Sequence, residues 1–225
     1  MPDPTPTPSN FAHDPTWRVF RIMAEFIEGF TMLGGLPRSV TVFGSARVAE
    51  DDEYYVAARE LGRRLAKQQI GVVTGGGPGI MEAANRGAHE GGGKSVGLSI
   101  RLPIEQKSNP FVDEEVHFQY FFTRKTMLNF SAEAYVFFPG GFGTFDELFG
   151  IITLVQTGKI PPVPIILTGS DFWKPLDEFI QWKLVGEYKT VSEPERELYY
   201  ITDSHDKIID IIRNAPVSDW WNKID

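Results

Sequence analysis

Cysteine is missing from the sequence altogether, and with it go disulfide bridges, thiolate nucleophiles and the cysteine zinc motifs. Histidine is scarce: His13, His89, His117 and His205 stand far apart, none at a ligating spacing, so no metal is expected. Positive charge is in short supply too. Twenty-two basic residues face 30 acidic ones, a net charge of −8, which excludes a sequence-independent grip on nucleic-acid phosphates. One local pocket can still oppose that overall sign and take a small anion. No apolar run approaches the length of a membrane span. The opening MPDPTPTPSN has neither the basic start nor the apolar stretch of a secretory signal, so a soluble cytoplasmic protein is expected. Its four prolines predict an extended, disordered tail over 1–13.

What is present is a clear change of period. From Asp14 to Leu33 the apolar residues Trp17, Phe20, Ala24, Ile27, Phe30 and Leu33 recur every three or four positions, one face of a helix within 14–36, with Asp14 as its cap. From 37 to 225 short apolar runs alternate with helical stretches. The runs are SVTVFG, IGVVTGG, SVGLSI, VHFQYFF (116–122), AYVFFPG, VPIILTG and LYYIT. Strands with little polar alternation, each followed by a helix, predict an α/β domain: one doubly wound, Rossmann-like parallel sheet of about seven strands with helices on both faces. The segment 186–197 reads as an exposed loop.

Three glycine-rich turns follow apolar strands, FGSAR, TGGGPG and PGGFGT, and in such a sheet all three fall on the ligand-binding rim. None fits a standard nucleotide signature. EGGGKS (90–95) lacks the earlier P-loop glycine, which falls on Ala88, and runs into a strand. The dinucleotide spacing fails at Ile80 and at Asp146, so NAD and FAD have no support and no cofactor is expected. A mononucleotide-sized phosphate site remains, with Gly140, Gly141, Phe142, Gly143 and Thr144 as its cradle and Ser45, Gly76 and Gly77 contributed by the other two turns. The bland readings are a tight strand-to-helix turn and a T-x-x-E capping box between Thr144 and Glu147. Arg124 and Lys125, after the preceding strand, suit an external anion or a nearby carboxylate; the alternative for Arg124 is an ion pair with Glu147 or Asp146.

PGGFGTFDE, with TRK upstream and GGGPGIMEAAN further upstream, resembles the LOG family, the cytokinin riboside 5'-monophosphate phosphoribohydrolases, older usage "lysine decarboxylase-like". The long leading helix, the proline-rich start and Glu82 resemble a bacterial branch of it. The resemblance, over about Val40 to Ile212, implies a homodimer or higher homo-oligomer that hydrolyses a nucleoside 5'-monophosphate, AMP or an N6-modified AMP, to free base and ribose 5-phosphate. It places the essential arginine on Arg124, the essential glutamate on Glu147, and further ligand contacts on Lys125, Thr153 and Glu105. Asp146 is expected to orient ribose hydroxyls or the helix start. The competing classes are a non-catalytic nucleotide-binding or cofactor-carrier protein, and a pyridoxal phosphate decarboxylase, which would need a lysine for its Schiff base. The helix at 14–33 and Asp219-Trp220-Trp221 are equally open as oligomer contacts or as cover for the protein's own core.

Overall fold

The computed structural model describes residues 15–36, 38–101 and 108–215. The expectations for the tail, the Asp14 cap, Glu105 and Trp220-Trp221 lie outside these described residues. In order the elements are α1 (Pro15–Gly34), β1 (Ser39–Phe43), α2 (Glu53–Lys67), β2 (Gly71–Thr74), α3 (Ile80–Glu90), β3 (Ser95–Ile100), β4 (Glu114–Phe118), α4 (Phe121–Asn129), β5 (Tyr135–Phe137), α5 (Phe142–Gln156), β6 (Ile165–Leu167), α6 (Ser170–Phe179), β7 (Tyr200–Ile201) and α7 (His205–Asn214). A π-helical segment, Ile180–Glu187, prolongs α6, and a 3-10 turn, Pro194–Leu198, occupies the end of the expected loop.

The seven strands form one all-parallel, Rossmann-like sheet in the order β4-β3-β2-β1-β5-β6-β7. The order reverses between β1 and β5, which pair Thr41 with Tyr135 and Phe43 with Phe137. That crevice is where an open α/β sheet leaves room for a ligand. Because both faces are covered, β1, β2, β5 and β6 are buried along their whole length.

Alternate strand residues feed two cores. Val40, Val42, Val72 and Val136 pack with Leu61 and Leu65 of α2, Ile80 of α3 and Ile208 and Ile212 of α7. Phe43, Val73, Leu98, Tyr135 and Phe137 pack with Leu33 of α1, Met127 and Leu128 of α4, Leu148 and Ile151 of α5 and Trp173 of α6. Within the first layer α2 and α3 meet at glycines: a Cβ at Gly62 would overlap the Ala84 carbonyl, and one at Gly87 the Arg59 carbonyl.

Two expectations are corrected. The helix at 14–33 forms, but of the apolar face read for it only Leu33 is buried; Trp17, Phe20, Ala24 and Ile27 face outward, and Phe30 lies half-covered against Phe26 and Phe130. The inward stripe is Glu25, Gly29 and Leu33, where Gly29 lets α1 approach Met127 of α4. The run 116–122 is not all strand. β4 stops at Phe118 and α4 begins at Phe121, because the buried Glu25 carboxylate accepts from the backbone N–H of Gln119 (2.9 Å) and Tyr120 (3.4 Å) and from the hydroxyl of Thr123 (2.5 Å). Those donors open a helix whose own cap residue, Tyr120, supplies no side-chain bond.

Candidate active site

The three glycine turns converge at the crevice. Ser45, after β1, donates its backbone N–H to the Pro139 carbonyl (3.0 Å) and accepts at its own carbonyl from Ile80 N–H (3.0 Å), so the first turn is fastened to both others. Around them lies a cavity of about 670 Å³. Its polar side chains come from Ser45, Arg47, Arg124, Thr144 and Glu147, and its apolar walls from Phe43, Met81, Phe121, Leu128, Phe142 and Phe145.

α5 starts three residues earlier than the capping-box reading requires. Its cap is Gly141, no acidic residue lies in its first turn, and Thr144 is already inside the helix. Thr144 packs on Gly140 so tightly that a Cβ there would meet its Oγ1, which makes Gly140 a close-approach residue outside the cavity lining. The first bond of the helix is Phe145 N–H to the Gly141 carbonyl, 3.1 Å. The amides of Phe142, Gly143 and Thr144 therefore have no acceptor among the described residues, and they carry the positive end of the helix dipole. Gly143 is open to the cavity, with nothing within 4 Å of where a Cβ would stand.

Glu147 lies four residues on from Gly143, on the same face of α5. It is buried at 6% exposure, and its Oε2 has no hydrogen-bond partner among the described residues. Lys125 Nζ stands 3.6 Å from that oxygen. Burial pushes the carboxyl up from 4.5 to about 7; Lys125 and Arg124 pull it down, and Asp146 adds to the rise. Asp146, one residue earlier and so about 100° round the helix, turns elsewhere. It pairs with Lys125 at 2.6 Å.

The same divergence separates the two cations of α4. Arg124 reaches into the cavity, where its Nε donates to the Leu98 carbonyl (2.6 Å) and its Nη2 to the Gly75 carbonyl (3.3 Å). Desolvation lowers its pKa and the Glu147 carboxylate opposes that. Lys125 turns into a shallower groove of about 600 Å³ between α4 and α5. The ion pair weighed for Arg124 thus belongs to Lys125.

Among the expected site residues, the structure brings together Ser45, Arg124, Gly141, Phe142, Gly143, Thr144 and Glu147 in one cavity. Lys125, Asp146 and Thr153 line the neighbouring groove, which Phe142 shares. Gly76 and Gly77 line neither: Gly76, at φ +72, is tucked against Ser99, and both carbonyls accept from Asn109. Gly75 faces the cavity in their place. Two further residues matter that the motifs do not single out. Arg47 closes the FGSAR turn, two positions after Ser45. Glu25 interrupts the stripe Ile22, Phe26, Gly29, Leu33, and a carboxylate within a buried stripe is a legible signal.

Residues 81–212, which hold α3 through most of α7, match the model of the family described as "possible lysine decarboxylase". A pyrimidine/purine nucleotide 5'-monophosphate nucleosidase of Escherichia coli strain K12 is 30% identical over 162 residues, which cover 66% of this chain and 35% of that protein. The match thus spans about a third of that relative's length. A cytokinin riboside 5'-monophosphate phosphoribohydrolase of Arabidopsis thaliana is 31% identical over 153 residues, 67% of this chain and 71% of that one. The solved structure of TM1055 superposes with a TM-score of 0.60 at 27% identity, over 79% of this chain and 99% of its own.

Proposed function

The chain belongs to the family described as possible lysine decarboxylase, that of the cytokinin riboside 5'-monophosphate phosphoribohydrolases, and from this premise we propose that it hydrolyses the N-glycosidic bond of a nucleoside 5'-monophosphate. AMP or an N6-modified AMP is the first substrate to try. The products are a free base and ribose 5-phosphate. One observation carries the reading: a buried carboxylate that makes no hydrogen bond with a described residue, Glu147, shares a helix face and a cavity with a row of helix-terminal amides that find no acceptor among the described residues.

In the proposed reaction the phosphate accepts from the amides of Phe142, Gly143 and Thr144, and the ribose C1′ faces Glu147. As the C1′–N bond breaks, its electron pair leaves with the base and positive charge develops on the sugar, as in glycoside hydrolysis. The Glu147 carboxylate stabilises that charge and takes a proton from the attacking water, whose oxygen completes the sugar. The departing base acquires a proton from solvent. Arg124, held by two backbone carbonyls, favours the charged form of Glu147. A Schiff-base chemistry would ask for a lysine. Among the described residues no lysine lines the cavity, and the neighbouring Lys125 is paired with Asp146.

Incubation with AMP, CMP, GMP and an N6-modified AMP, followed by chromatography for free base, tests the reading. Nucleotide binding without base release from any of the four would make the protein a carrier.

The reading extends to a homodimer joined through α1, α4 and α5, in a cytoplasmic protein with 37–225 as its nucleotide-binding unit and 14–36 as its leading helix. Trp17, Phe20, Met23 and Ile27 of α1, Phe121 and Phe122 of α4 and Phe149 of α5 are exposed, whereas Val56 is the one large exposed apolar residue on α2, α3 and α7 among the described residues. Light scattering of the Phe20→Glu, Ile27→Glu double variant should report a monomer. No helix among the described residues is long and apolar enough to cross a membrane.

A further inference from the structure

Arg47 lines the same cavity as Arg124 and Glu147, from the loop after β1. Its side chain is exposed, and its guanidinium makes no hydrogen bond or ion pair with a described residue; only its backbone N–H is engaged, donating to Ser45 Oγ at 3.1 Å. Nearby arginines are paired: Arg59 with Glu90, Arg63 and Arg64 with Glu60, and Arg86 with Glu50 and Glu90. Acids are abundant just beyond Arg47, in Glu50, Asp51, Asp52 and Glu53. Yet Glu50 turns to Arg86 at 2.8 Å, and Asp52 caps α2 by accepting from Tyr54 N–H at 2.8 Å. A cation left open beside several carboxylates, at the mouth of a cavity, is available to something that enters.

The backbone that carries it is fixed. The turn that bears Arg47 is bound through Ser45 N–H to Pro139, two residues before the Gly141 cap of α5, so its side chain starts from the flank of the unpaired amides. The charge balance points the same way. A phosphate monoester carries about 1.5 to 2 negative charges near neutrality, and a helix N-terminus supplies only about half a positive one. Arg124 is committed to Leu98 and Gly75 deep in the cavity, Lys125 faces Asp146 in the other groove, and Glu147 adds negative charge. A phosphate at α5 would be undercompensated without one more full cation.

We infer that Arg47 is the phosphate clamp of this site, folding its guanidinium fork over the 5'-phosphate of a nucleotide seated at the α5 N-terminus. The inference rests on the nucleotide reading above and adds the residue that discriminates a phosphorylated ligand from a free nucleoside. Guanidinium and phosphate match as a bidentate, charge-assisted pair.

Calorimetric titration of ribose 5-phosphate and of inorganic phosphate into the full chain tests it, with wild type, Arg47→Ala and Arg47→Lys compared. Arg47→Ala should weaken ribose 5-phosphate by about ten- to a hundredfold. Arg47→Lys should weaken it less, because it keeps the charge and loses the fork. The salt dependence of binding should flatten in Arg47→Ala. In turnover, KM for the nucleoside 5'-monophosphate should rise by a similar factor and exceed any change in kcat. Equal ribose 5-phosphate affinity in wild type and Arg47→Ala overturns the clamp, as does wild type that binds neither ligand. A wild type that binds ribose 5-phosphate yet releases no base from any nucleotide overturns the hydrolase reading alone and leaves the clamp to be judged by the titrations.

Discussion

Arg124 and Glu147 face one cavity from neighbouring helices without forming an ion pair; the cation within 4 Å of Glu147 is Lys125. The separation has a chemical use. A carboxylate locked to a guanidinium would spend its charge on the protein, whereas Glu147 makes no hydrogen bond with a described residue and meets only Lys125, at 3.6 Å from its buried Oε2. Arg124 is tied instead to two carbonyls, which fixes where its charge stands.

Glu147→Gln keeps the size and burial of the side chain and removes its negative charge. Base release should fall by about a hundred- to a thousandfold in kcat, the usual loss for one transition-state contact. Ribose 5-phosphate binding should persist. Turnover at the wild-type rate would remove Glu147 from the mechanism.

The raised carboxyl also ties stability to pH. Between 4.5 and about 7 the folded protein keeps a proton on Glu147 that the unfolded chain has released, so this residue's contribution is greatest below 4.5 and declines as pH rises through about 7. The shift corresponds to roughly 3 kcal/mol as an upper bound. Urea unfolding at about pH 8 should therefore find Glu147→Gln more stable than wild type, and the gap should close towards about pH 5. A gap independent of pH would show that burial of the charge is not its source.

Lys125 and Asp146 bear on the same carboxyl with opposite signs, Lys125 lowering it and Asp146 raising it. In pH–rate profiles of base release, Lys125→Met should move the acidic limb to higher pH and Asp146→Asn should move it lower. Profiles superimposable on wild type would mean that Glu147 is not the group titrating.

Glu25 is exposed to a simple stability test. Glu25→Ala leaves the Gln119 and Tyr120 amides without their buried acceptor, while the Thr123 hydroxyl keeps the Tyr120 carbonyl, at a cost of about 3 kcal/mol. For a chain of this size the melting temperature should drop by roughly 6–12 °C. Glu25→Gln keeps one accepting oxygen and should lose less.

The sheet was legible because its inner strands are buried on both faces and read as unbroken apolar runs, as in Val40 to Phe43 and Tyr135 to Phe137. The rim was legible because PGGFGT can serve few purposes at the end of such a strand. What escaped depended on partners distant in sequence. Phe121 and Phe122 suit strand or helix equally, and the choice is made by Glu25, almost a hundred residues earlier. Adjacent pairs misled in the same way: Arg124 with Lys125, and Asp146 with Glu147, are neighbours in sequence, yet a helix sends each member to a different cavity. The outward side of α1 also imitates a core face, since periodicity identifies an apolar stripe and is silent on what covers it.

The glycine contacts between α2 and α3 bear on one side of the cavity. With Gly62 and Gly87 letting backbone lie on backbone, the two helices pack closely, and the turns leading into them, FGSAR and TGGGPG, are joined by the bond from Ile80 N–H to the Ser45 carbonyl. The opposite wall is α4 with the start of α5; α4, nine residues long, is held by Glu25 of α1, by Met127 against Gly29 and by Arg124 on the Leu98 and Gly75 carbonyls. On that side Phe121 and Phe142 are the lining aromatics left most exposed and freest to turn, so differences in which bases are accepted should trace to them before Ser45 or Met81.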